Sequence, residues 1–110
     1  MNLLYLTSDV LGTGDVVLGE KLLINFLNNL LSSSKKIDVI FCINSAAYLT
    51  CNNHDAVKIF KQFNDKGTII STCGTCLEFY NIKDELQVGE IGSMSLLVQL
   101  MNSAKNIITP

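Results

Sequence analysis

Ser71-Thr72-Cys73-Gly74-Thr75-Cys76-Leu77-Glu78-Phe79-Tyr80 begins where the apolar run Thr68 to Ile70 stops and continues with helical spacing. The change of period places Cys73 at a strand-to-helix junction, the position at which open α/β sheets keep their chemistry. A thiol there is expected to face the unpaired N–H groups of the first helical turn and the positive end of the helix dipole, which favour the thiolate. Gly74 is expected to let the backbone turn tightly beside the sulfur. Cys76, three residues on, is near enough to close a disulfide with Cys73 or to share a ligand with it. The spacing leaves both open.

A Cys-x-x-Cys pair can also be half of a zinc site, which needs two further donors. Cys42, Cys51 and His54 are the remaining candidates, and none of them forms a second pair with zinc-knuckle spacing. No metal and no other cofactor is therefore expected, and reactive or redox thiols are the reading carried forward. Inert cysteines are the bland alternative.

Outward from this stretch the chain alternates strand and helix. Leu3 to Thr7 reads as a buried strand, and the loop Asp9 to Asp15, with Gly12 and Gly14, leads into a long helix. Val16, Gly19, Leu23, Phe26, Leu27 and Leu30 make its apolar face; Lys21, Asn25, Asn28, Asn29 and Ser32 make the polar one. The glycine loop invites a nucleotide reading, but Val17 stands where a dinucleotide fingerprint needs its third glycine, and no Gly-Lys-Ser/Thr follows. Asp15 at the helix start would repel phosphate and suits an N-cap.

Ile37 to Ile43 is a second apolar run, in which Cys42 reads as a buried core thiol. Asn44 to Asn53 reads as a connecting segment. Ala56, Ile59, Phe60 and Phe63 then recur at helical spacing, with Asn52 or Asn53 as cap and an end before Gly67. His54 at that helix start is expected to be solvated, and Cys51 is a weaker neighbour of the thiol site. Gly67 to Thr72 is the third strand. Asn81 to Leu86 is a polar turn, Gln87 to Gly92 a short extended piece, and Ser93 caps a helix whose buried stripe is Met94, Leu97, Val98 and Met101. Asn106 to Thr109 closes the chain as a last strand. The alternation predicts one domain over residues 1–110, a three-layer α/β/α architecture with a mainly parallel sheet.

Composition narrows the function classes. The chain has 110 residues, 48% of them hydrophobic, a single proline and a net charge of −2, so it is globular and presents no basic surface for nucleic acid. No apolar run approaches the ~20 residues of a membrane span, and the start lacks the basic region of a signal peptide. Cytoplasm is the expected compartment, where four cysteines argue for reactive thiols more than for a disulfide framework. A mean hydropathy of +0.34 on so small a chain suggests apolar surface left over for a homo-oligomer.

Thr7-Ser8-Asp9-x-Leu11-Gly12-x-Gly14-Asp15, Phe41-x-x-Asn44-Ser45, Cys73-Gly74-Thr75-Cys76-Leu77-x-x-Tyr80 and Val88-Gly89-Glu90 together resemble the DsrE/DsrF-like family over essentially the whole chain. Within it the sequence looks like the branch formed by the C-terminal domain of YedF, described as sulfurtransferase-like and linked to selenium metabolism. The resemblance implies a five-stranded parallel sheet and a cytoplasmic sulfur relay in which a cysteine after the third strand, here Cys73, takes a sulfane sulfur and passes it on. It implies sulfur donor and acceptor proteins as partners, a homo-oligomer, and a separate TusA-like protein where this chain has no room for such a domain. Cys76 is expected to act second, attacking a Cys73 persulfide. The alternative reading is a redox-sensing or assembly subunit with the same fold and no catalysis.

Overall fold

The computed structural model describes residues 1–110. Five strands form one all-parallel sheet: β1 (Asn2–Leu6), β2 (Val39–Cys42), β3 (Ile69–Cys73), β4 (Glu90–Gly92) and β5 (Asn106–Ile108), in the order β4-β3-β2-β1-β5. Strands β1 to β4 are laid down side by side, and the chain then returns to add β5 beyond β1. The helices are α1 (Val16–Ser32), α2 (His54–Asp65), α3 (Gly74–Phe79) and α4 (Met94–Ser103). The three-layer α/β/α arrangement expected from the alternation is the one found.

Period-2 alternation divides the side chains of the sheet between two cores. Leu4, Leu6, Ile40, Cys42 and Ile70 meet Leu23 and Leu27 of α1 and Ile59, Phe60 and Phe63 of α2 on one face. Leu3, Val39, Phe41 and Cys73 meet Leu97 of α4 on the other. Every residue of β2 is buried, which is why that strand reads as a continuous apolar run: a central parallel strand is covered on both sides. Asp15 caps α1 by accepting the Leu18 N–H at 2.9 Å, Asn53 caps α2 through the Ala56 N–H, and Ser93 caps α4 through the Leu96 N–H.

Several local expectations change in the structure. Asn44 to Thr50, read as a connector, is a 3₁₀ helix. Val16 does not join the buried face of α1 but stands 61% exposed on its first turn. Met94 and Val98 of α4 are 54% and 51% exposed, so only Leu97 of that stripe is buried, with Met101 packed partly against it. The physical reason is one of coverage: on that face a single helix packs over Leu3, Val39 and Phe41, and Ile69 on β3 is left 55% exposed.

The turn into β4 explains part of the Val88-Gly89-Glu90 motif. Gly89 has φ +80°, and a Cβ on it would lie 2.3 Å from the Ile70 carbonyl oxygen. Only glycine allows the chain to pass β3 this closely before pairing with it.

Candidate active site around Cys73 and Cys76

Strand β3 ends at Cys73, and α3 begins at Gly74, so Cys73 is the N-cap residue at the carboxyl edge of the sheet. Its side chain does not cap. No N–H of the first helical turn is bonded to the Cys73 sulfur, so the expected contact with Gly74, Thr75 and Cys76 is not made. The alternation of β3 decides this: residue 73 points to the same face as Ser71, under the sheet, where the thiol is 3% exposed among Leu3, Val39, Phe41 and Leu97. Gly74 is not in a glycine-only conformation either. Its bare Cα admits the Ile91 side chain, whose Cγ2 would stand 3.0 Å from a Cβ.

Cys76, one turn further on, has the opposite environment. It is half-buried and opens onto a pocket of about 280 Å³ lined by Ile43, Asn44, Thr75, Phe79, Tyr80 and Met94. The backbone N–H of Asn44 donates to its sulfur at 3.0 Å. Asn44 begins the 3₁₀ helix with φ +54°, a left-handed conformation that asparagine tolerates better than most residues. Its side-chain oxygen accepts the Tyr80 hydroxyl at 2.8 Å, and the Tyr80 ring lies against Tyr48, with centroids 4.7 Å apart. The Ser45 hydroxyl, next in the chain, accepts the Asp9 N–H at 3.2 Å and ties this turn to the end of β1.

Burial raises the Cys76 pKa above its ordinary value, the Asn44 N–H opposes that rise, and the neighbouring Cys73 thiol adds to it. A thiolate can form here, aided by one N–H donor, but no cation assists it. Cys73 adjoins Cys76 as the spacing anticipates.

The other candidate residues separate into two groups. Cys51 is wholly buried at the end of the 3₁₀ helix, in the cluster of Ala47, Leu77 and Ile82 against which Cys76 packs. Burial pushes its thiol up, and so does the Glu85 carboxylate, while the Thr50 hydroxyl acts in the other direction. Cys42 is completely buried in β2, and burial raises its pKa far above the ordinary value. His54 is exposed at the start of α2, in a shallow depression with Asp55, Lys58, Lys61 and Gln87, and does not line the pocket at Cys76. Nowhere do three His, Cys, Asp or Glu side chains converge as metal ligands would.

Asn44 and Tyr80 both lie in the motifs that carry the family resemblance, yet their place at the site is not evident from spacing alone. An asparagine directly after a buried strand was the available signal, because asparagine is enriched at positive φ.

A family model described as the DsrE/DsrF-like family matches residues 21–110. No curated protein matches the chain. Among solved structures, the ychN protein of E. coli is similar at 17% identity, with a TM-score of 0.66 and all of both chains covered. A protein of unknown function from Methanobacterium thermoautotrophicum is similar at 15% identity and a TM-score of 0.72, covering 99% of this chain and 97% of that one. A conserved protein of unknown function from Bacteroides thetaiotaomicron gives 16% identity and a TM-score of 0.67, covering 99% and 94%. At these identities the likeness is one of fold.

Proposed function

The chain belongs to the DsrE/DsrF-like family, and on that premise we propose that it is a sulfur-relay protein carrying sulfane sulfur on the Cys73–Cys76 pair, with Cys76 as the receiving thiol. The observation that carries this reading is the open pocket at Cys76, where a half-buried sulfur already accepts a backbone N–H. Cys73, 3% exposed beneath it, is the second thiol. This reverses the order expected from the strand-to-helix junction, because the side-chain direction of β3 buries the first cysteine.

In the receiving step the Cys76 thiolate attacks the terminal sulfur of a donor persulfide, R–S–SH. The Cys76 S–S bond forms, the donor S–S bond breaks, and the donor leaves as R–S⁻. An acceptor thiolate then attacks the outer sulfur and expels the Cys76 thiolate. The raised pKa of Cys76 lowers the thiolate fraction available for the receiving attack and also slows its departure as a leaving group. Alternatively the Cys73 thiolate attacks the inner sulfur, giving a Cys73–Cys76 disulfide and HS⁻.

The finer parts of the proposal follow from the resemblance to the YedF branch: a TusA-like donor, acceptor proteins, a cytoplasmic location and a link to selenium, which the same thiol would carry as a perselenide. No helix is long and apolar enough to cross a membrane. The exposed Ile69, Phe79, Met94 and Val98 support assembly into a homo-oligomer. The test is the intact mass after exposure to a cysteine desulfurase and cysteine. A gain of one sulfur atom that disappears in Cys76→Ser is expected; no gain in the parent would defeat the proposal, and a gain untouched in Cys76→Ser but lost in Cys73→Ser would return the role to Cys73.

A further inference from the structure

Tyr80 is the C-cap residue of α3 and Asn44 the first residue of the 3₁₀ helix that follows β2, so the two meet only through the tertiary fold. Three contacts run in series. The Tyr80 ring lies against that of Tyr48, at 4.7 Å and 44°, and meets that of Phe79, at 5.4 Å and 85° between centroids and planes. Its hydroxyl donates to the Asn44 side-chain oxygen at 2.8 Å. The Asn44 N–H then donates to the Cys76 sulfur at 3.0 Å.

The middle residue is the one with the unusual backbone conformation. A non-glycine residue at positive φ is uncommon, asparagine being among the more tolerant, and it persists where its surroundings fix it. Asn44, at φ +54°, has its side chain held by the Tyr80 hydroxyl while its backbone N–H reaches the sulfur.

We propose that Tyr80 is a positioning residue for Cys76: its hydroxyl holds Asn44 in the left-handed conformation that directs the Asn44 N–H at the sulfur. The N–H stabilises an anionic sulfur, thiolate or persulfide, more than a neutral one, since bonds to charged acceptors are the stronger kind. Other titratable groups around the sulfur are the Cys73 thiol from the end of β3, the Tyr48 phenol and Cys51 thiol of the 3₁₀ segment, and Tyr80 itself. From α4 comes only the uncharged Met94. Glu78 and Lys83 pair with each other at 3.5 Å on the surface, and Glu85 acts on Cys51.

The inference rests on Cys76 being the receiving thiol, and its test reads that thiol whether or not it carries sulfur. The rate of iodoacetamide alkylation is followed against pH, peptide by peptide, in the parent, Tyr80→Phe, Asn44→Gly and the double variant. Tyr80→Phe keeps the ring and loses the hydroxyl. It should move the Cys76 titration limb upward and lower the rate at pH 7 by roughly 3- to 10-fold, the effect of half a unit to one unit, while the high-pH plateau stays unchanged. Glycine adopts positive φ without help, so in Asn44→Gly the further change Tyr80→Phe should be silent. A Tyr80→Phe limb that coincides with the parent's, or a shift equally large in the Asn44→Gly background, overturns the inference while leaving Cys76 reactive. A parent Cys76 that resists alkylation overturns the receiving role itself.

Discussion

A pair of buried hydroxyls joins the 3₁₀ helix to β3 one residue before Cys73, and its asymmetry can be measured. Thr50 and Thr72 are both fully buried, with their hydroxyl oxygens 2.8 Å apart, and the Thr50 hydroxyl also reaches the Ala47 carbonyl at 3.2 Å. A hydroxyl has one proton to give. If Thr50 donates to Ala47, Thr72 must donate to Thr50. Thr50→Val then leaves the Thr72 proton without an acceptor in a dry interior, at a cost of ~1 to 3 kcal/mol. Thr72→Val removes the same bond but leaves Thr50 bonded to Ala47, so the loss should be only ~0.5 to 1.5 kcal/mol. In the double variant the orphaned donor is gone, and its loss should fall short of the sum of the single losses by about 1 kcal/mol, as expected for contacting groups. For a chain of 110 residues, about 1 kcal/mol corresponds to roughly 4 °C in Tm. Urea unfolding followed by circular dichroism, with Tm as a second reading, resolves these differences. Equal single losses that add in the double variant would refute the donor assignment and the coupling together.

Gly89→Ala should destabilise by at least ~2 kcal/mol, since it combines positive φ with a Cβ driven into the Ile70 carbonyl; urea midpoints within experimental error of the parent would contradict the described turn. Cys42→Ser should lower stability by ~1 to 3 kcal/mol, because a buried hydroxyl would lack a partner, and should leave the alkylation profile of Cys76 in place. A serine variant as stable as the parent would mean the site is not dry. The same burial sets a pH dependence. Cys42 and Cys51 have pKa values raised in the fold above the ordinary 9.0, so their contribution is whole below pH 9 and declines above it, as the unfolded chain ionises while the folded one holds its protons. For Cys42 the decline should be about 1.4 kcal/mol per pH unit. Urea unfolding between pH 8 and about 10.5 should show a shallower slope in Cys42→Ala; parallel slopes would remove Cys42 as the cause.

The order of strands and helices was legible in the sequence because each element carries its own period: the full burial of β2 in Ile37 to Ile43, the caps at Asp15, at Asn52 or Asn53 and at Ser93, the change from strand to helix at Cys73. Cys42 could be assigned to the core for the same reason, as one member of a continuous apolar run. What the period does not contain is how far an opposing layer extends. Val16, Met94 and Val98 have helical spacing yet stand exposed, because coverage depends on which strands a helix crosses. The thiol pair shows the same division at the site. Spacing brought Cys73 and Cys76 together, but it could not say which sulfur is reachable, since that depends on the face to which β3 turns its last residue and on what packs there. Asn44 and Tyr80 are 36 residues apart in the chain, and a hydrogen bond between them exists only once β2 and β3 lie side by side. The sequence by itself therefore determined the elements and the chemical groups available at the carboxyl edge of the sheet. Tertiary structure alone decided that Cys73 is covered by Leu3, Phe41 and Leu97 while Cys76 faces the pocket, because burial and hydrogen bonding are properties of neighbours that the chain supplies from distant positions.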